Sequence, residues 1–497
     1  MTTIRRAPCY TPAHMFYERF IVFAYLSVLV LLAFYGFHRT HLVYLYYRYR
    51  NNRPKPAGTL SPRPIVTVQL PLYNEMYVAP RLLEAVAGIR YPKELLEIQV
   101  LDDSTDETVE VCRHKVEELR ARGFQAHHIR RVDRVGYKAG ALAHGLETAR
   151  GEFVAVFDAD FVPAPDILER TLDYFSSPKV GMVQVRWGHL NRDYSVLTEA
   201  QALMLDGHFV IEHTARNRSG RFFNFNGTAG IWRRAVIDDA GGWQHDTLTE
   251  DLDLSYRAQL RGWKFVYLPD VVSPAEVPAE MNSFKSQQYR WAKGSIQTAR
   301  KLLPAIARSD VPFRVKVEAF FHLTNNFAYP LLLLLSILLL PNLILRTEHG
   351  VREVLLIDLP LFIGTTLSLA CFYLTSQREI DPIGWKRAVA RLPLVLSLGI
   401  GLCVNQTRAV VEALAGSETE FVRTPKHGLV SRLEAWSKKR YRSAPGAMPL
   451  LECLLAAYFA VTFVLALRGG HYLSLPFLGL FLVGYTYVGV LSLHQSR

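Results

Sequence analysis

The sequence predicts an α/β domain with a mostly parallel sheet, joined to an α-helical membrane domain. Between residues 61 and 310, short apolar or β-branched runs alternate with stretches of helical spacing, which is typical of βαβ units. Long apolar segments near the ~17–25 residues that a spanning helix needs lie before and after this region. Hydrophobic residues make up 50% of the 497 residues and the mean hydropathy is +0.08, which is high for a soluble protein and low for a pure transporter.

The first predicted element is a membrane helix over Phe20–Phe37, which is too long for a secretory signal and lacks its cleavage site. The four further predicted spans are Phe327–Leu345, Leu359–Thr375, Met448–Leu467 and Leu473–Leu493. Residues 388–415 are apolar but contain charged and amide side chains that are costly at the bilayer centre, so we predict an interfacial helix there. The predicted domains are 1–60, 61–310 and 311–497.

Basic residues indicate the orientation in the membrane. The formal net charge is +12, and Lys and Arg concentrate beside the predicted spans, for example at Arg48, Arg50 and Lys55. The positive-inside rule then places the N-terminus outside and residues 38–310 in the cytoplasm. Anionic headgroups account for the charge, so no nucleic-acid partner is expected. The five cysteines show no paired spacing, which disfavours a zinc module and a disulfide framework.

Each predicted strand of the α/β region ends in a polar cluster. The strands cover residues 65–70, 98–101 and 153–157, and the clusters contain Tyr73 and Glu75, Asp103, and Asp158 and Asp160, respectively. Ligands bind such sheets at the carboxyl ends of the strands. Two carboxylates one residue apart can hold a hard divalent cation, Mg²⁺ or Mn²⁺, that bridges nucleotide phosphates. Each cluster alone is also compatible with a turn or a helix cap.

Two downstream motifs supply further groups for a reaction. Asp251 can accept a proton from an attacking hydroxyl, Arg290 can pair with diphosphate oxygens, and Trp291 offers a flat face to a sugar ring. With the two metal-binding carboxylates, these groups favour glycosyl transfer from a nucleotide sugar over hydrolysis by a carboxylate pair. Alternatives remain: Trp291 and Arg290 are also suited to the membrane interface, and Asp251 to a helix N-terminus.

Four motifs occur in order along the chain, with membrane segments after them: Asp103, Asp158-Ala159-Asp160, Thr249-Glu250-Asp251 and Gln287-x-x-Arg290-Trp291. In this order the chain resembles a processive family 2 glycosyltransferase of the cellulose synthase superfamily. The resemblance implies a GT-A-like domain and inverting hexosyl transfer with Asp251 as the base. It also implies that a β-linked glycan, expected to be β-1,4, is polymerised and exported through a membrane channel.

Further matches extend the resemblance. Residues 225–233 resemble the acceptor-side loop of the mannan and xyloglucan-backbone synthase-like branches, and residues 421–426 resemble a gating loop, with Arg423 where the motif has valine. The implied donor-binding residues are Tyr73, Glu75, Asp103, Lys138, Asp158, Gln287 and Arg290. The implied acceptor-binding residues are Asn226, Gly227, Thr228, Glu250 and Trp291. The implied gating loop covers about 417–430 and contains Phe421, Arg423, Thr424 and Lys426.

The resemblance leaves the donor open between UDP-glucose, which we favour, and GDP-mannose. The acceptor is expected to be the growing β-glycan, and the location a bacterial inner or plasma membrane, with room for accessory export proteins. One alternative is a non-processive transferase acting on a lipid-linked acceptor, and another is a non-catalytic membrane scaffold. The remaining histidines, including His208 and His213, show no ligand spacing and are expected to be structural.

Overall fold

The computed structural model describes residues 12–346, 359–417, 419, 421–429, 434, 436, 439–441 and 448–495. Parts of the predicted domains 1–60 and 311–497 therefore lie outside the described residues. The same holds for Glu418, Glu420 and Val430 of the predicted gating loop.

A seven-stranded sheet forms the centre of the α/β domain. The strands are β1 Val66–Leu72, β2 Leu96–Asp102, β3 Gln125–Ile129, β4 Phe153–Val156, β5 Val180–His189, β6 Gly230–Arg233 and β7 Lys264–Ala275. Their order is β3-β2-β1-β4-β6-β5-β7, and β6 runs antiparallel to both β4 and β5, while the other pairs are parallel. The prediction of a mostly parallel sheet is confirmed. The antiparallel β6, which joins two parallel groups of strands, was not predicted.

Helices cover both faces of the sheet, so strands such as β2 and β4 are buried along their whole length. The helices of this part of the chain are α1 Pro12–Tyr49, α2 Ala79–Ala87, α3 Thr108–Ala121, α4 Tyr137–Thr148, α5 Ile167–Thr171, α6 Val196–Asp206, α7 Thr214–Arg218, α8 Arg234–Asp239 and α9 Glu250–Leu260. Helix α3 shows why they form: Cys112, Val116 and Leu119 recur at helical spacing and are buried. A π-helix over Gly207–His213 connects α6 to α7, a form that is common at functional sites.

The C-terminal part is helical. It contains α10 Met281–Arg308, α11 Phe313–Thr324, α12 Ala328–Arg346, α13 Leu359–Ile380, α14 Lys386–Gly401, α15 Cys403–Ala415, α16 Met448–Arg468 and α17 Leu475–Gln495. Among the described residues, four stretches are long and apolar enough to cross a membrane: Phe16–Tyr49, Phe313–Leu345, Met448–Arg468 and Tyr472–Gln495. They contain four of the five predicted spans. The fifth predicted span, Leu359–Thr375, lies in α13, which packs against α1. Within the described residues α13 does not meet the same criterion of length and hydropathy.

The predicted interfacial segment forms the bent pair α14 and α15, which meet at an angle of 41° and would be a fifth candidate span if taken together. Two amide side chains had disfavoured a membrane crossing, and in the structure both contact α10. Asn405 Nδ2 donates to the carbonyl of Lys285 at 2.9 Å, and Gln406 Nε2 donates to the carbonyl of Gln288 at 3.1 Å. These contacts give the two amide groups hydrogen-bond acceptors, which lipid tails do not offer. Whether the pair crosses the membrane or lies at its surface stays a prediction.

Candidate active site

A cleft lies at the carboxyl ends of β1, β2 and β4, where the sequence predicted a site. Its space, which includes solvent at the open mouth, is about 1240 Å³. The predicted residues that line it are Tyr73, Glu75, Asp103, Lys138, Asp158, Asp160, Asn226, Gly227, Glu250, Asp251, Gln287, Arg290, Trp291, Phe421, Arg423, Thr424 and Lys426. The exception is Thr228, which is fully buried behind the wall, where its hydroxyl accepts a hydrogen bond from the backbone N–H of Asp158 at 2.8 Å. In the structure this residue supports Asp158, and its acceptor contact stays a prediction.

The two carboxylates of the metal motif face the same cleft. Asp158 Oδ1 accepts from Lys138 Nζ at 2.5 Å, and the Asp158 side chain keeps 35% of its surface exposed. Asp160 is buried, and its Oδ2 accepts from Lys426 Nζ at 2.5 Å and from the backbone N–H of Glu276 at 3.1 Å. Its other oxygen, Oδ1, is buried and has no hydrogen-bond partner among the described residues. An open carboxylate beside an orphaned carboxylate oxygen fits a hard divalent cation.

The described residues contain no cluster of three or more His, Cys, Asp or Glu side chains that could hold a metal ion by themselves. Mg²⁺ is commonly held by one or two carboxylates together with substrate phosphates. The donor set of Asp158 and Asp160 therefore suits a cation that binds with a nucleotide diphosphate and not a permanent structural metal.

Two arginines that the sequence did not predict contact residues of the predicted donor site. Arg131 binds the Asp103 carboxylate through two nitrogens, with Nε donating to Oδ1 at 3.0 Å. The guanidinium of Arg134 lies over the ring of Tyr73, 3.3 Å from its centroid. Nothing in the run of residues 130–134 distinguishes these arginines from a solvated basic segment, since their partners lie about 30 or more residues earlier in the chain.

Asp251 lies in the first turn of α9, close to the metal motif. Lys138 Nζ donates to Asp158 and, at 2.8 Å, to the carbonyl of Gly227, and its positive charge also acts on the Asp251 carboxylate. Gly227 has a φ of +80°, and a Cβ added there would lie 3.0 Å from Asp251 Oδ2 and 3.3 Å from Lys138 Nζ. Glycine is therefore required for both its backbone conformation and this close approach.

The environment of Asp251 suits a general base. Burial raises the pKa of Asp251 to about 7, and the adjacent Glu250 carboxylate adds to the rise, while Lys138 opposes it. Asp251 Oδ1 accepts from the backbone N–H of Leu252 at 2.8 Å, which fixes the orientation of the carboxylate. A base with a pKa near the working pH combines a useful deprotonated fraction with the ability to take a proton.

Helix α10 carries Gln287, Arg290 and Trp291 at a spacing that places all three on one face. The guanidinium of Arg290 lies 4.6 Å from the ring centroid of Phe421, and its buried Nε has no partner among the described residues. Trp291 lines the cleft and also a second cavity that leads towards the membrane helices. The motif therefore lies at the boundary between the two spaces.

The described part of the predicted gating loop closes one side of the cleft. Besides the Lys426 contact with Asp160, the backbone N–H groups of His427 and Gly428 donate to Glu276 Oε2 at 3.4 and 3.1 Å. Arg423, at the position where the motif has valine, lies 3.6 Å from a carboxylate oxygen of Glu75. Burial raises the pKa of Glu75 to about 7, opposed by Arg423 and assisted by the nearby Asp160.

Two histidines expected to be structural hold the acceptor-side loop. Asn226 Nδ2 donates to His208 Nε2 at 2.9 Å, and His213 Nε2 donates to Asn226 Oδ1. Burial lowers the pKa of His213 to about 3 and that of His208 well below its usual value, so both rings are neutral. The orientation of the Asn226 amide is thereby set by the π-helix, a relation that sequence spacing does not reveal.

Comparison with known proteins identifies the family. Residues 62–294 match the family described as "Glycosyltransferase like family 2". The chain is 35% identical over 415 residues to glucomannan 4-beta-mannosyltransferase 2 of Arabidopsis thaliana, covering 80% of this chain and 75% of the relative. The chain belongs to glycosyltransferase family 2. It is a hexosyltransferase of the cellulose synthase superfamily, as predicted, and it is mannan-synthase-like, which is one of the two predicted branches.

Other relatives agree with this assignment. The glycosyltransferase is 33% identical over 447 residues to glucomannan 4-beta-mannosyltransferase 1 of Oryza sativa subsp. japonica, covering 86% of this chain and 83% of the relative. It also resembles the solved structure of a mannosyltransferase from Pyrobaculum calidifontis in complex with GDP-Man and Mn²⁺, with a TM-score of 0.54 and 22% identity. That likeness covers 79% of this chain and 100% of the other, and it supports the GT-A-like fold.

Proposed function

We propose that this glycosyltransferase is a processive, inverting synthase that extends a β-1,4-linked glycan from GDP-mannose. The names of the curated relatives, which are 4-beta-mannosyltransferases, favour mannose, and the structural neighbour from Pyrobaculum calidifontis was solved with GDP-Man. These findings support GDP-mannose ahead of UDP-glucose, the donor favoured by the sequence.

The single observation that carries the proposal is the position of Asp251 between two connected spaces. The donor cleft and the second cavity share Asp251, Asn226, Gln287 and Trp291 on their walls. A base at this boundary faces the donor on one side and an acceptor hydroxyl on the other. A transferase with this arrangement adds each sugar at the entrance of the second cavity.

The path continues into the membrane domain. The second cavity shares wall residues with a third cavity, which lies among α1, α12, α13, α14 and α17 and is lined mainly by apolar side chains. Three adjoining cavities therefore run from the donor cleft towards the predicted bilayer. This continuity supports export of the growing glycan through the membrane domain.

The chemistry follows from the residues of the cleft. Asp251 takes the proton of the acceptor hydroxyl while that oxygen bonds to the anomeric carbon and the bond to the diphosphate breaks, so the configuration inverts from α to β. Arg290 pairs with diphosphate oxygens through its free donors. Asp158 and Asp160 would hold Mg²⁺ or Mn²⁺, which neutralises charge on the departing diphosphate. Tyr73, Asp103 and the gating loop enclose the nucleotide.

The orientation of the protein follows from the same reasoning. We place the α/β domain in the cytoplasm of a bacterial cell, where the positive-inside rule puts residues 38–310 and where the nucleotide sugar is available. Protease accessibility of residues 61–310 in sealed inverted vesicles, but not in intact spheroplasts, tests this orientation.

The test of the proposed function uses the purified full-length protein in lipid nanodiscs with Mn²⁺ and either radiolabelled GDP-mannose or UDP-glucose. We expect a ladder of products from GDP-mannose that an endo-β-1,4-mannanase degrades and a cellulase does not. Polymer from UDP-glucose alone would reverse the donor assignment. A single sugar recovered on a lipid would favour the non-processive alternative, and no turnover of either donor would contradict the proposal.

A further inference from the structure

A buried ion pair joins the start of α10 to a membrane span. Lys285 lies in the second turn of α10, and Glu452 lies in the second turn of α16. Lys285 Nζ is 2.6 Å from Glu452 Oε1 and donates to Oε2 at 2.8 Å. The two side chains keep only 7% and 0% of their surfaces exposed. Neither residue is part of the motifs that the sequence identified.

Glu452 occupies a fixed place inside the helical domain. Its neighbours Leu450 and Leu454 are 62% and 67% exposed on the outer surface of the span, whereas Glu452 is turned inward. Helix α17 packs closely against this point, since a Cβ added to Gly489 would lie 3.2 Å from the Cβ of Glu452. A charge within a span is costly and calls for a partner, which here is Lys285.

Stability alone does not account for this pair. Taking two charges out of water is costly, and replacing a buried ion pair with apolar residues of similar volume is often neutral or stabilising. An ion pair does restrict alignment, because the ammonium and the carboxylate must meet, whereas apolar side chains can pack in several positions. The Lys285–Glu452 pair is therefore best explained by the alignment that it imposes on α10.

Helical geometry relates this alignment to the active site. Helix α10 turns by about 100° per residue. Counted from Lys285, the directions of Gln287, Arg290 and Trp291 are about 200°, 140° and 240° around the helix axis. The face of α10 that lines the cleft is thus opposite the face that α16 holds. A rotation of about 10° would move a side chain at a radius of about 5–6 Å by about 1 Å.

Neutral hydrogen bonds support the same placement of α10. The backbone N–H of Met281, the first residue of the helix, donates to Gln495 Oε1 at 2.6 Å, and Asn282 Nδ2 donates to the carbonyl of Ser492 at 3.1 Å. Both acceptors belong to α17, and Lys285 Nζ also lies 3.5 Å from Ser492 Oγ. The beginning of α10 is therefore fixed within the membrane domain, one to two turns before its cleft-lining residues.

We propose that Lys285 and Glu452 are positioning residues, whose ion pair sets the rotation of α10 and so directs Arg290 at the donor diphosphate and Trp291 at the acceptor. This inference rests on the roles of Arg290 and Trp291 in the proposed function. A misplacement of about 1 Å can lower a reaction rate by about 10²-fold, so the pair acts on turnover without touching substrate.

The test uses the full-length protein in nanodiscs with whichever donor the unmodified chain turns over. In the double variant Lys285→Met/Glu452→Met, the melting temperature should be equal or higher, because no buried charge is left unpaired. Its turnover at saturating donor should fall by about 10-fold to 100-fold, with the donor KM within about threefold, since Asp103 and Asp158 lie outside α10. The reversed pair Lys285→Glu/Glu452→Lys should recover most of the turnover.

The matched control is Arg50→Met/Glu379→Met. This pair also joins two helices of the membrane domain, with a 3.3 Å contact and side chains that are 44% and 26% exposed, and its removal should leave turnover unchanged. Full turnover in the double methionine variant would overturn the positioning role, as would a fall in turnover that only follows a fall in melting temperature. A well-folded reversed pair without recovery would also overturn it. Failure of the unmodified chain to turn over either donor would instead contradict the proposed function.

Discussion

Replacing Asp251 with Asn tests the assignment of the base most directly. The change is nearly isosteric, and the new amide oxygen can still accept the 2.8 Å hydrogen bond from the Leu252 N–H, so the first turn of α9 should be retained. What disappears is the proton acceptor. General-base catalysis contributes about 10²–10⁴ in rate, so we expect product formation to fall by that factor, or about 3–5 kcal/mol in activation free energy.

The structure also predicts the pH dependence of the reaction. Since burial and Glu250 raise the pKa of Asp251 to about 7, the carboxylate is protonated and inactive as a base below that pH. The initial rate of nucleoside diphosphate release should therefore rise between about pH 6 and pH 8 and then level off. An Asp with its usual pKa near 3.9 would give a flat profile over this range.

The assay follows nucleoside diphosphate release at constant ionic strength, together with donor affinity by titration. Donor affinity should change by no more than about threefold in Asp251→Asn, because the proposed donor contacts of Arg290 and Asp158 remain. Asp246→Asn is the matched control, since Asp246 is exposed, precedes α9 and pairs with Lys301 at 2.8 Å outside the cleft. Full polymer synthesis by Asp251→Asn would refute the assignment, as would an unchanged acid limb in its pH profile.

Three further outcomes are expected. Gly227→Ala should lower the rate of product formation by about tenfold or more, because the new Cβ would lie 3.0 Å from the carboxylate of Asp251. Gly220→Ala is the control, since Gly220 has a φ of +69° and no atom lies within 4 Å of the added Cβ. This control carries only the backbone cost of about 1 kcal/mol in stability. Excess chelator should abolish turnover and added Mn²⁺ restore it, and Asp160→Asn should weaken Mn²⁺ binding in the presence of GDP as measured by electron paramagnetic resonance. Trp232→Ala should destabilise the α/β domain by about 3–5 kcal/mol, seen as a lower melting temperature, since the Trp232 side chain is fully buried.

The sequence predicted the strands that have a clear local pattern of apolar and β-branched residues. The runs that became β1, β2 and β4 were recognised from their apolar and β-branched residues, although β1 and β2 also bury polar side chains such as Gln69 and Gln99. Strand β3, with the sequence Gln-Ala-His-His-Ile, was missed because it is short and largely polar. The antiparallel β6 was also missed, since strand direction depends on pairing with β4 and β5 and leaves no local signal.

The reaction class could be predicted from the sequence by itself, because the motifs are short and occur in the order that the family resemblance requires. Only the tertiary structure decided how those groups are held. The Lys426–Asp160 pair joins residues 266 positions apart, and Arg39 meets Glu212 across two domains. Such contacts depend on which surfaces the folded helices and sheet bring together, and no local propensity encodes that choice. The chain's own pattern thus specified the chemistry, while packing specified the environment of Asp251 and the path that leads from it towards the membrane.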